Sequence, residues 1–164
     1  MKVNFLFIFF FFLLKSVNAY AFPDIIKIEL DPNNFGKYQK NIFRAYVSDG
    51  DHIKDRFKKW TDGKIITKNK ELKIKLRITG DWKDHLETLS RKNITVHSSI
   101  AIKVIDDNYE GMTRFKILLP RTRYGNDHLF WNGMLNYYNY TTLKMRIIRV
   151  DMNNVSYFGF IEEL

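Results

Sequence analysis

Leu72, Ile74, Leu76 and Ile78 alternate with Lys73, Lys75, Arg77 and Thr79. Period-two alternation of this length predicts a strand with one buried face. Gly80 stops the run, Asp81 and Trp82 follow, and the pattern resumes over Ser99-Ile100-Ala101-Ile102-Lys103-Val104-Ile105. A third apolar-rich run, Arg114 to Leu119, ends at Pro120, which has no N–H to give to a ladder and so marks a strand end. The stretch from Glu71 to Arg123 therefore predicts three neighbouring ribbons of one sheet, with the remaining segments feeding or covering it.

Upstream, Ile25 to Leu30 alternates as a short strand, Asp31-Pro32-Asn33-Asn34 reads as a turn, and Ile42 to Val47 reads as a second strand. Ile53, Phe57 and Trp60 are spaced for a helical turn or two, or for a hairpin arm ending at Asp62-Gly63. Downstream, Asn126 is a good N-cap for a helix from Asp127 to Tyr138, whose apolar face is Leu129, Phe130, Met134, Leu135, Tyr137 and Tyr138. Two last strands, Thr142 to Val150 and Ser156 to Ile161, flank a turn at Asp151-Met152-Asn153-Asn154. The expected class is α+β, a mostly antiparallel sheet with one principal helix (Asp127 to Tyr138), resembling a kinase-like amino-terminal lobe. The stop at Glu162-Glu163-Leu164, straight after a strand, reads as a longer design cut at its carboxy terminus.

Composition adds a compartment and a charge. Lys2, the apolar run Phe5 to Leu14 and the small residues of Val17-Asn18-Ala19 predict a signal peptide over residues 1–19. The run is short for a bilayer span, so the expected location is extracytoplasmic, with membrane contact only through an uncleaved leader. The next expected divisions are amino-terminal strands with a connecting arm over 20–70 and a core over 71–164. With 45% apolar and 16% aromatic residues the chain has ample material for a core. It has no cysteine, which removes disulfides and thiol chemistry. The net charge is +9, spread without a long basic block, and such a field attracts acidic glycans, phosphates or anionic lipid. His52, His85, His97 and His128 lie outside any metal-ligand spacing and read as surface histidines.

A larger pattern runs through these pieces: the strand Arg77 to Gly80, the Ser99-x-x-Ile102-Lys103 strand, Gly111-Met112-x-x-Phe115-x-x-Leu118, Pro120-x-x-Arg123, a helix, and Phe158-Gly159-x-x-x-Glu162. In order and spacing this resembles the first half of the CotH-like (spore coat protein H type) family of atypical extracytoplasmic kinases, over roughly residues 71 to 163. The resemblance implies the nucleotide-covering lobe of a kinase-related protein of the cell envelope, inactive without the catalytic lobe, with ATP and magnesium as cofactors. Thr79 and Asp81-Trp82 depart from the family pattern, which points to a divergent branch.

Four residues carry the chemistry of that reading. Lys103, projecting from a strand between inward-facing Ile102 and Val104, would neutralise nucleotide phosphates as a point charge; the alternative is a solvent-facing strand lysine. Arg121 and Arg123 would grip a phosphate or carboxylate with their planar forks, or form ion pairs with Asp127 or Glu110. Glu162 falls where the family places an acidic residue at the lobe junction. Asp81 is expected to make an Asx-type turn with its own backbone. A second function class is a non-enzymatic exported β-rich module that binds acidic glycans or assembles on the cell surface through Trp60, Trp82, Trp131 and the tyrosines. Nucleic acid is not expected, since export removes that partner and no recognised module appears.

Overall fold

The computed structural model describes residues 23–88, 96–125 and 127–164; the leader and the Asn126 cap lie outside them. Seven strands close into a barrel: β1 (Asp24–Glu29), β2 (Thr61–Ile66), β3 (Glu71–Ile78), β6 (Ile100–Val104), β7 (Arg114–Leu118), β8 (Met145–Met152) and β9 (Val155–Glu163). The order around the ring is β1-β2-β3-β6-β7-β9-β8. Between them, β4 (Leu86–Thr88) and β5 (Val96–Ser98) form a separate two-stranded sheet. Two helices, α1 (Pro32–Val47) and α2 (Asp127–Tyr137), lie among the described residues with short 3-10 turns at Asp55–Phe57, Lys83–His85 and Pro120–Arg123.

An odd ring of strands cannot alternate direction all the way round, so at least one neighbouring pair must be parallel. Here it is β1 with β8, in register from Asp24 opposite Ile148 to Ile28 opposite Met152. Asn153, just past β8, extends this seam with its side chain: Oδ1 accepts from the Leu30 amide at 2.9 Å and Nδ2 donates to the Leu30 carbonyl at 2.8 Å. Its φ of 45° and that of Asn154, 68°, turn the chain into β9, a conformation asparagine tolerates better than most residues.

Alternation sends the aliphatics inward. Ile26, Ile28, Leu72, Ile74, Leu76, Ile78, Ile100, Ile102, Phe115, Ile117, Ile148 and Val150 are all buried in one cluster, which fills the barrel with side chains rather than a channel. Gly159 is needed where β9 crosses β7, because a Cβ there would meet Ile117 Cγ2 at 2.5 Å. The interior is apolar and the outer face charged, the reverse of a membrane-spanning barrel. No described helix is long and apolar enough to cross a membrane.

This architecture corrects the expected class. The molecule is a closed, mixed barrel with two helices, and the longer helix is the one sequence reading replaced with a turn and a strand. Asp31 is its N-cap, accepting from the amides of Asn33 and Asn34, and Pro32 occupies the first turn, where its missing N–H and fixed φ suit a helix start. Tyr38, Ile42 and Ala45 recur at helical spacing and enter the core beside Ile53 and Phe57. The helix expected to be principal, α2, buries none of its residues. Asp62-Gly63 is not a turn but part of β2. β2 and β3 pair directly, so the division at residue 70 falls on a hairpin within the barrel.

His97 corrects a second expectation, that every histidine lies at the surface. It is 4% exposed and stacks on Tyr157 with ring centroids 4.6 Å apart, while Tyr38 and Ser98 share a buried hydrogen bond of 2.9 Å. Burial disfavours the imidazolium and pushes the His97 pKa down to about 4.

Two outcomes follow from the seam and the buried ring. Asn153→Asp removes the donation to the Leu30 carbonyl and places a carboxylate against it, so urea unfolding at pH 7 is expected to show a loss of about 1–3 kcal/mol; a change of a few tenths would disprove the latch. For His97 the native pKa lies below the unfolded one, so the unfolded chain binds more protons between pH 6.5 and about 4. Stability is full above that window and falls as pH drops through it, by about 3 kcal/mol at its lower end. In His97→Phe the difference in unfolding free energy between pH 7 and pH 4, from urea titration, should shrink by that amount, and an unchanged difference would rule out the assignment.

Candidate functional site

The three ribbons read from sequence are indeed adjacent, β3 beside β6 beside β7, and their outward positions fall into register. Lys75 lies opposite Lys103, and Lys103 opposite Arg114. Two residues along, Arg77 lies opposite Ala101, and Ala101 opposite Lys116. The result is a groove of about 410 Å³ on the outer barrel wall, lined by Trp60, Lys75, Arg77, Ala101, Lys103, Arg114 and Lys116 among others.

Among the described residues no Asp or Glu lines it, although Leu164 reaches its rim beside Arg114. Within 4.0 Å, Lys75 has Asp62 at 3.7 Å, whereas Arg77, Lys103, Arg114 and Lys116 form no ion pair with any described residue. Elsewhere on the barrel the same residue types are neutralised: Lys64 by Glu71 at 3.0 Å, Lys73 by Asp106 at 3.5 Å, Arg149 by Asp151 at 3.0 Å. Like charges directly opposite on neighbouring strands destabilise a sheet, so the row Lys75-Lys103-Arg114 is a local weakness of the fold. Trp60 forms one wall; it is 46% exposed, and the Arg77 guanidinium sits 4.8 Å from its ring centroid, a cation–π contact that fixes the arginine. Arg77 Nε is buried with no hydrogen-bond partner among the described residues, an uncompensated donor of the kind that usually has one.

The four residues singled out by sequence do not share this place. Lys103 stands in the middle of the groove, exposed between buried Ile102 and Val104. Arg121 donates through Nη2 to the carbonyls of Lys83 at 3.0 Å and Leu86 at 2.5 Å, and through Nε to that of Asp84. Its fork ties down the Lys83–His85 turn. Arg123 Nη2 donates to Glu162 Oε2 at 3.2 Å, and Glu162 is 6% exposed. Those two expected site residues therefore hold one another, linking the Pro120–Arg123 turn to β9. The alternative partner Glu110 is taken by Arg146. Asp81 accepts from Lys58 at 2.7 Å, and this contact holds its carboxyl below the ordinary range; among the described residues its carboxylate makes no bond to the neighbouring backbone. Gly80 is required beside it, with a φ of 92° and the His85 ring 2.1 Å from where a Cβ would stand.

Sequence reading named Trp60 for glycan binding but passed over Lys75, Arg77, Arg114 and Lys116. The signal was present: each cation occupies the polar phase of an alternating strand. What was not visible was the pairing register that sets the three polar faces side by side. No protein-family model and no curated protein matches the chain, so the CotH-like resemblance rests on the residues quoted for it.

The opposed charges have a measurable consequence. Lys103→Gln removes both like-charge contacts of the central position and is expected to raise stability by about 0.2–1 kcal/mol at low ionic strength. The gain should shrink at high salt. Chemical denaturation at two salt concentrations decides it, and a destabilised variant would show that the row does not repel.

Proposed function

We propose that this protein is an exported β-barrel module that binds acidic glycans along the outer wall of β3, β6 and β7. One observation supports the reading above the rest: four cations without ion pairs among the described residues line a single groove beside a half-exposed tryptophan, at the expense of sheet stability. A fold that tolerates such repulsion gains when a polyanion neutralises it. Trp60 adds a half-exposed aromatic ring whose face suits the C–H surface of a sugar, which distinguishes a saccharide from a simple counterion cloud. The leader over residues 1–19 supports the compartment in which such polymers occur.

The expected kinase-like role loses its structural premise, because the barrel replaces the lobe, while Arg121, Arg123 and Glu162 are engaged with protein partners. Lys103 keeps a role in anion binding, now as one of five cations in a groove.

The full chain should bind a highly sulfated glycan and ignore uncharged dextran, with affinity falling steeply between 50 and 300 mM salt, values chosen to bracket the screening length of about 10 Å near 0.1 M. Lys103→Gln with Lys116→Gln should weaken binding by at least about tenfold, whereas Lys37→Gln with Lys40→Gln on α1 should leave it unchanged. Equal affinity for duplex DNA of matched charge, or equal loss in both double variants, would reduce the interaction to general electrostatics and defeat the proposal.

A further inference from the structure

Resting on the acidic-glycan reading, the geometry points to one discriminating position in the groove: we infer that Ala101 is the floor of a seat for a tetrahedral oxyanion ester, a sulfate or phosphate monoester carried on a saccharide. A planar carboxylate fits it less well.

Ala101 is the short side chain in a field of long ones. Arg77 and Lys116 flank it directly across the two ladders, Lys103 is the next residue on its own face of β6, and Lys75 and Arg114 stand on the diagonals. With strands about 4.8 Å apart, Arg77 and Lys116 start about 10 Å from each other across the alanine. The β-carbon of Ala101 is the only side-chain atom between them, and alanine is a poor strand former, which a central strand usually replaces with a branched residue. Ala101 is 6% exposed yet lines the groove, so the empty space reaches down to it.

Three cations from three adjacent strands thus surround one short side chain, Arg77 and Lys116 across the ladders and Lys103 along β6. A sulfate half-ester or phosphate monoester presents three terminal oxygens on a tetrahedral centre, one for each of Arg77, Lys103 and Lys116. A carboxylate presents two in a plane, and leaves one cation unmatched. Arg77, whose guanidinium is held against Trp60 and forms no ion pair with any described residue, offers a fixed fork, and charge-assisted bonds of this type are the stronger and more directional ones. The remaining cations, Lys75 and Arg114, serve any acidic group on the next sugar and carry no such selectivity.

The experiment uses the full chain and calorimetric titration with three probes of matched charge: a heparin-derived sulfated hexasaccharide, an oligosaccharide bearing phosphate monoesters, and an oligogalacturonate. The native protein should bind either ester at least about tenfold more tightly than the uronate. Ala101→Val keeps every charge, suits a strand and fills the seat; it should abolish that preference by weakening the ester probes about tenfold while changing the uronate less than about twofold. Ala101→Gly opens the seat without adding atoms and should retain the preference, and the melting temperature of both variants is recorded to show that they fold. A tighter response to one ester than the other identifies which source of the oxyanion the seat accepts. Equal native binding of ester and uronate, or an Ala101→Val variant that keeps its preference, overturns the seat while leaving glycan binding intact. Binding of none of the probes overturns both readings together.

Discussion

The parallel contact between β1 and β8 is the constraint on which the rest of the molecule depends. Six of the seven neighbour pairs in the ring are antiparallel, and they join residues fewer than fifty positions apart, through hairpins or through returns that carry a helix. The seventh joins residues more than a hundred positions apart, as the Asn153 to Leu30 bonds show directly. Without it the sheet has two bare edges, each a row of unpaired donors and acceptors. With it, every strand of the ring has two neighbours, the inward aliphatics are enclosed on all sides, and the outer wall becomes a continuous surface of side chains.

Closure explains why the cations stand where they do. Lys75, Lys103 and Arg114 lie on the three central strands of the series, far from the seam, so no sheet edge is near enough for their long side chains to bend over. On a closed wall the neighbouring strands hold the register, so three like charges are kept side by side. Most outward charges on this wall are neutralised by carboxylates, as with Lys64 and Glu71 or Arg149 and Asp151. Between β3 and β7 that pattern lapses, and Ala101 opens a depression where it lapses. Stability is therefore lowered at the same residues that the proposed binding would use, which is the usual relation between a fold and a site grafted on it.

How much of this was legible in the chain depends on the range of the contact involved. Leu72 to Ile78, Ser99 to Ile105 and Arg114 to Leu119 declared themselves as strands because period-two alternation is a local property, and their adjacency followed from short connections. Phe158 to Ile161 and the Asn153-Asn154 turn were likewise readable. α1 was missed although Asp31-Pro32 is a strong start signal, because Asn33, Asn34 and Gly36 mimic a turn and only Tyr38, Ile42 and Ala45 betray the helical period. His97 looked like a surface residue because its burial comes from Tyr157, sixty positions away. Lys103 was found because a lone lysine among aliphatics stands out; its four companions were not, because each belongs to a different ribbon or to the ordinary polar phase of its own. Arg121 and Arg123 were attractive as a phosphate grip for the same local reason, being two residues apart, and tertiary structure sends one to backbone carbonyls and the other to Glu162.

The gap between the expected kinase-like lobe and the observed barrel has the same cause. A motif of strand, glycine turn, strand and lysine describes local geometry that many sheets share, and it fixes neither how many strands follow nor whether the first and last meet. Here β1 and β8 meet, and their meeting removes the open sheet edge that a second lobe would cover. It leaves Lys103 on a convex wall flanked by other cations. A lysine in a cleft between lobes sees one bound phosphate group and is matched by metal-holding carboxylates; a lysine on a wall, with Arg77, Arg114 and Lys116 around it, sees whatever long anion lies across the strands. The residue type is the same in both settings. Its neighbours across the ladders, set by the pairing of β3, β6 and β7, are what distinguish the two settings.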